Sequence, residues 1–266
     1  MKVALTTSSS AVWNKLRRAQ SARSREATLE LGVGALPRSD AARRFWSRRT
    51  WSELAAVPAV SQVVLALVRE GAALATIGAY TAIAQDEVRH AGLSHGLAER
   101  LGGYDDDVPD GLDYAPRSLA NPSDVSFAVW ALANGCFSET VSLALIRARH
   151  AATKQPLVRA VLAETLKDEA LHVRIAWQTA EEVLPNLSPT ARKDLAAYGE
   201  QLAEMLRRTF GTAGLPSKLR RREVAIRDGA ATAGLGSVQA AQENALIDEA
   251  LTGIKARLSK LGVTTR

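Results

Sequence analysis

An all-α fold is predicted by three observations. Helix formers dominate the chain. No stretch alternates β-branched and polar residues in the manner of a strand. The pentad Asp-Glu-x-x-His occurs at Asp86 to His90 and again, 82 residues later, at Asp168 to His172, a spacing whose carboxylate and imidazole share one face of a helix.

The elements follow from breaks and caps. A first helix is expected over residues 10–31, ending at Gly32 and Gly34. Ser39 or Asp40 then caps a helix that runs past Trp46 and Trp51 to about Glu70, with Pro58 expected to kink it. Gly71 breaks the run, and the next helix extends from about Ala73 to Leu101, where Gly102-Gly103 is a C-terminal signal. The stretch 102–122, with four prolines or Asp-Gly turns after its acidic run, reads as a long irregular crossover. Ser123 or Asp124 caps a helix to about Ala152. Gln155-Pro156 opens another that ends near Leu184-Pro185. Two more helices are expected at 188–210 and 237–261, separated by a Gly-rich basic segment. The chain is thus read as one domain over 1–266, with a core at about 40–184 and accessory helices at both ends.

Bulk properties narrow the function classes. At 266 residues and 47% hydrophobic content the chain can bury a full-sized core. Neither Gly71 to Ala84 nor Val63 to Val68 is long enough to span a bilayer, and the N-terminus lacks an apolar stretch of signal-peptide length, so a soluble cytoplasmic protein is expected. One cysteine, Cys136, excludes an intrachain disulfide and a self-contained iron–sulfur cluster. Any electrons must come from an external donor. The net charge of +6 gathers near the ends, at Arg17 to Arg49 and Lys218 to Arg222. No aromatic interleaving or nucleic-acid motif sharpens it, so it reads as a solvated face.

The pentads carry the chemistry. With only four histidines in the chain, two such pentads arise by chance on the order of once in 10⁴ sequences. Bundles that hold two metals take a Glu-x-x-His from each of two helices and a lone Glu from each of the other two. Glu53 precedes Glu87 by 34 residues with its midpoint at the Glu70-Gly71 break, and Glu139 precedes Glu169 by 30 with its midpoint at Lys154. Hairpins folded at those breaks bring each pair level. Glu53 shares a stripe with Trp46, Val60 and Leu67; Glu139 shares one with Cys136, Leu143 and Ile146. Glu53, Glu87, His90, Glu139, Glu169 and His172 are therefore the expected ligands. Four carboxylates balance two divalent ions, so the cluster can sit in a core.

Over about Arg48 to Leu184 the chain resembles the ferritin-like superfamily of dinuclear iron carboxylate proteins. The resemblance implies a four-helix bundle with its long crossover between the second and third core helices. In the multicomponent monooxygenases of that superfamily an Asp precedes each Glu-x-x-His and hydrogen-bonds the histidine of the opposite motif. Carried over, Asp86 orients His172 and Asp168 orients His90. Other branches fit less well: Ser94 stands where reductase subunits place a radical tyrosine, and Thr165 where arylamine N-oxygenases add a histidine. The four-cysteine site of rubrerythrins cannot form.

What the resemblance implies is an O₂-activating oxidase or oxygenase with two irons, or manganese in one site, acting on a small organic substrate by hydroxylation, N-oxygenation or desaturation. Glu87, with Glu139 or Glu169, is the expected bridge. The alternatives are a ferroxidase or peroxide-scavenging protein and, from the basic charge, a tRNA-modifying hydroxylase. A homodimer is compatible with this reading. Gly135, costly in a helix interior by about 1 kcal/mol, is expected with Cys136 to line a substrate or O₂ pocket, with Tyr80, Trp130 and Thr165 as further candidates; close helix packing at Gly135 is the competing explanation. His95 and His150 are expected to lie off the metal face.

Overall fold

A computed structural model describes residues 36–105 and 131–264; the expected helix at 10–31, Trp130 and most of the crossover lie outside them. Among the described residues there are helices and no strands.

Helix α1, Asp40–Arg69, starts where Ser39 accepts a hydrogen bond from the Ala42 amide at 3.2 Å, and it continues through Pro58. The Pro58 ring lies on the exposed side, where water can satisfy the carbonyl it frees. Gly71, at φ 68°, turns the chain into α2, Leu74–Leu101. The hairpin closes at its far end, where the Ser39 amide donates to the Leu101 carbonyl at 3.4 Å.

After the crossover, a π-helical segment, Ala131–Glu139, leads without a break into α3, Thr140–Ala152. Helix α4, Pro156–Val183, begins with Pro156 in its first turn and Gln155 capping the Val158 amide at 2.9 Å. It runs antiparallel to α3: the Trp177 indole donates to Thr140 at 3.1 Å, while the Ser142 hydroxyl reaches back to Glu169. The two midpoint hairpins drawn from the sequence therefore turn where expected.

Three helices flank these four: α5, Pro189–Thr209; α6, Ser217–Thr232; and α7, Ala240–Lys260. Helix α6 lies within the segment between 210 and 237 that was expected only as a Gly-rich basic separator. Its buried stripe consists only of Glu223, Ile226 and Ala230, too thin for apolar periodicity to reveal beside Lys218 and Arg220 to Arg222. The loop after α6 staples the fold. Gly234 and Gly236 take positive φ, the Leu235 carbonyl accepts from the Trp46 indole at 2.9 Å, and the Gly234 carbonyl accepts from Lys154 at the second hairpin.

The apolar core falls into two clusters. One gathers Val60, Leu67, Tyr80, Ile83, Ile175 and residues of α5 and α7; the other gathers Trp46, Leu97, Ile146, Val158 and Leu162 with α6. Between the stretches of α1, α2 and α4 that feed the two clusters lie Glu53, Glu87, His90 and Asp168, all buried. A polar layer thus separates two hydrophobic compartments. Helix α1 has the length and composition of a membrane span, of which the apolar run Val63 to Val68 is only a part. Here it packs against α2, with Leu54, Leu65 and Val68 half-exposed on its outer side.

Candidate metal centre

Four helical segments each supply carboxylate to one point. Glu53 and Glu87 come from successive helices of one hairpin; Glu139, at the π-to-α junction, and Glu169 come from the other. Each is at most 6% exposed. Two groups of ligand atoms, each lying within 4.8 Å of one another, result: Glu53, Glu87 and His90, and Glu87, Glu139 and His172. Glu87 belongs to both. Glu169 is buried beside them but stands outside both triads, with Oε1 accepting from the Ser142 hydroxyl at 3.2 Å.

The imidazoles face inward by the same nitrogen. His90 turns Nε2 to Asp168 at 3.2 Å and His172 turns Nε2 to Asp86 at 3.3 Å, the crossed pairing of the two pentads. A carboxylate only accepts, so each Nε2 carries a hydrogen, and Nδ1 is the nitrogen left for a ligand once its own proton has gone. His172 Nδ1 lies 3.3 Å from Glu87 and 3.4 Å from Glu139; His90 Nδ1 lies 3.7 Å from Glu87. Both Nδ1 atoms and Glu169 Oε2 are buried without a hydrogen-bond partner. Buried polar atoms left unpartnered around one point are costly unless a cation completes them, and carboxylate oxygens with imidazole nitrogens can hold a metal ion.

The electrostatics follow the same crowding. Burial pushes Glu53 up to about 7, against the pull of the Arg49 guanidinium that hydrogen-bonds it. Burial and the neighbouring Glu139 and Glu87 carboxylates raise Glu169 well above the ordinary range. For Glu87, burial acts upward but the neighbouring His172 and His90 imidazoles outweigh it, and its carboxyl is held well below that range. Burial works to lower His90, yet Asp168 and Glu87 hold its proton up to about 9; Asp86, Glu139 and Glu87 do the same for His172. The protons bind where a divalent ion would otherwise neutralise the carboxylates.

Several neighbours were not legible in the sequence. Arg89 donates to Asp86 one helical turn away at 3.4 Å. It also donates to Asp168, so one guanidinium joins both aspartates. The proposed pocket residues are packed instead. A Cβ on Gly135 would meet the Ala176 Cβ at 2.5 Å, so the glycine allows the π segment and α4 to touch. Cys136 Sγ lies 3.6 Å from the Ala176 carbonyl, the Tyr80 hydroxyl donates to Thr179 at 2.9 Å, and the Thr165 hydroxyl donates to the Val161 carbonyl. His95, half-exposed, pairs with Glu99 away from the centre.

Space beside the centre opens elsewhere. A cleft of about 80 Å³ reaches Glu139 between Ala55, Ala59 and Val60 of α1 and Met205 and Leu206 of α5. The small side chains of α1 leave the room, and α5, an accessory helix with no motif, closes it. No known protein family and no curated protein matches the sequence.

Proposed function

We propose that the protein is a dinuclear metal oxidoreductase of the ferritin-like type that uses O₂ to oxidise a small organic substrate. The observation that carries the reading is the pair of buried carboxylate–histidine triads that share Glu87 and adjoin an apolar cleft at Glu139. Glu53, Glu87 and His90 would hold one ion and Glu87, Glu139 and His172 the other, with Glu169 the remaining buried carboxylate beside them. A reduced iron pair held there would supply the electrons that O₂ activation requires.

The chain's own residues then have separable tasks. Asp86 and Asp168 fix the tautomers of His172 and His90, and Arg89 holds the two aspartates in place. Ala55, Ala59, Val60 and Leu206 exclude water and present an apolar substrate to the side of the centre formed by Glu139. Electrons come from an outside donor, because the lone thiol, Cys136, is buried and burial raises its pKa strongly.

The competing metal-handling reading makes iron itself the substrate. Anaerobic addition of Fe(II) followed by O₂ separates the two: iron uptake is expected to stop at two per chain, whereas uptake of many irons per chain would overturn the oxidase reading.

A further inference from the structure

The two triads of the centre are not equivalent. Arg49, one helical turn before Glu53, donates through a terminal nitrogen to Glu53 Oε1, and the two residues are 7% and 5% exposed. Glu53 is thus neutralised by a guanidinium buried with it, where water screens the pair little. Glu53 is also the one carboxylate that pairs with Arg49 among the described residues, and Arg49 Nε is buried without a hydrogen-bond partner. Giving up Glu53 would leave a buried charge unpaired.

Nothing comparable stands at the other triad. Among the described residues no arginine or lysine pairs with Glu139, whose ion partner is His172 at 3.4 Å. Glu169 adds a carboxylate on the same side: of the carboxylates around it, Glu139 acts on it most strongly and Glu53 least. The ligand atoms are also drawn closer there. His172 Nδ1 is 3.3 Å from Glu87, whereas His90 Nδ1 is 3.7 Å from it.

An ion beside Glu139 therefore meets Glu87, Glu139 and Glu169 with no guanidinium on them. Beside Glu53 it meets Glu87, which both positions share, and a carboxylate whose charge Arg49 already holds. Arg49 must either surrender its hydrogen bond or stay next to the ion, and repulsion or a lost ion pair counts against binding in both cases.

We propose that Arg49 is a built-in competitor at the Glu53 position, so that the chain takes up metal in two unequal steps, first at Glu87, Glu139 and His172 and then at Glu53, Glu87 and His90. The inference rests on the metal reading of the centre and not on O₂ chemistry or a substrate. Its consequence is a one-ion form, which permits two different metals to be placed in turn.

Titration of the metal-free full chain with Mn(II), followed by calorimetry and by loss of the paramagnetic resonance signal of the free ion, tests the proposal. Two binding events at least about tenfold apart in affinity are expected, as one charge-assisted hydrogen bond gives. Glu139→Ala should remove the tighter event and Glu53→Ala the weaker. Arg49→Met should strengthen the weaker event about tenfold or more, whereas Arg49→Lys, which keeps the charge, should leave it weak. A gain in affinity is a result that damaged packing does not produce. Two equal events in the parent, loss of the tighter event in Glu53→Ala, or an unchanged weaker event in Arg49→Met would each overturn the proposal and leave the two-metal centre standing. Absence of Mn(II) binding in the parent would remove both.

Discussion

Glu87 is the residue on which the two triads depend, because it alone contributes to both. Replacing it with alanine should abolish binding at both positions, whereas Glu53→Ala should leave one ion per chain; metal analysis after dialysis counts them. Loss of only one ion in the Glu87→Ala protein would show that the carboxylate is not shared. The aspartates act one bond further out. Asp168→Asn keeps an acceptor for His90 Nε2 but loses the charge that Arg89 and His90 meet, so Mn(II) affinity should fall about 10–100-fold. These residues were the legible part of the site. The i, i+3 spacing announces paired ligands, and a buried carboxylate on an apolar stripe is conspicuous. Arg49 and Arg89 were not legible as site residues, since an arginine on a helix reads as solvated until the fold buries it.

At the scale of elements, helix ends were read closely where cap chemistry marked them, at Ser39, Gly102 and Gln155-Pro156. Two features had no such mark. The π-helical turn before Glu139 shifts the register of that strip of side chains, and no 3.6-residue pattern encodes a five-residue hydrogen bond. Helix α6 hides its one apolar stripe among arginines. Gly135 shows how an element-level contact can look like a pocket in the sequence: a small residue leaves space, and only the fold says whether a ligand or another helix takes it. Gly135→Ala should destabilise the protein by about 1–3 kcal/mol through overpacking against Ala176. Ala176→Gly in the same chain should recover most of that loss. A denaturation series on the two single variants and the double variant measures the coupling.

For the whole molecule, the polar layer between two apolar compartments makes stability depend on pH and metal together. Glu53, pushed up to about 7, and His90, held up to about 9, both bind protons more strongly folded than their ordinary values of 4.5 and 6.5. The Glu53 contribution is full below its unfolded value and lost as pH rises through about 7. That of His90 is full below 6.5 and lost as pH rises through about 9. Glu87 and Asp168, held low, have the opposite sign, but theirs is lost only in acid, below the window from about pH 5 to 9. Metal-free protein should therefore melt at lower temperature as pH rises from about 6 to about 8.5, while the increment in melting temperature from Mn(II) should grow because His90 must shed its proton to bind. An increment that shrinks with pH would place the metal elsewhere.

The dinuclear centre itself is tested most directly by anomalous diffraction at the iron edge from crystals grown with Fe(II) under anaerobic conditions. Two iron peaks per chain are expected, one held by Glu53, Glu87 and His90 and the other by Glu87, Glu139 and His172, each with histidine Nδ1 as the ligand atom. A single peak, or iron bound away from Glu87, would contradict it.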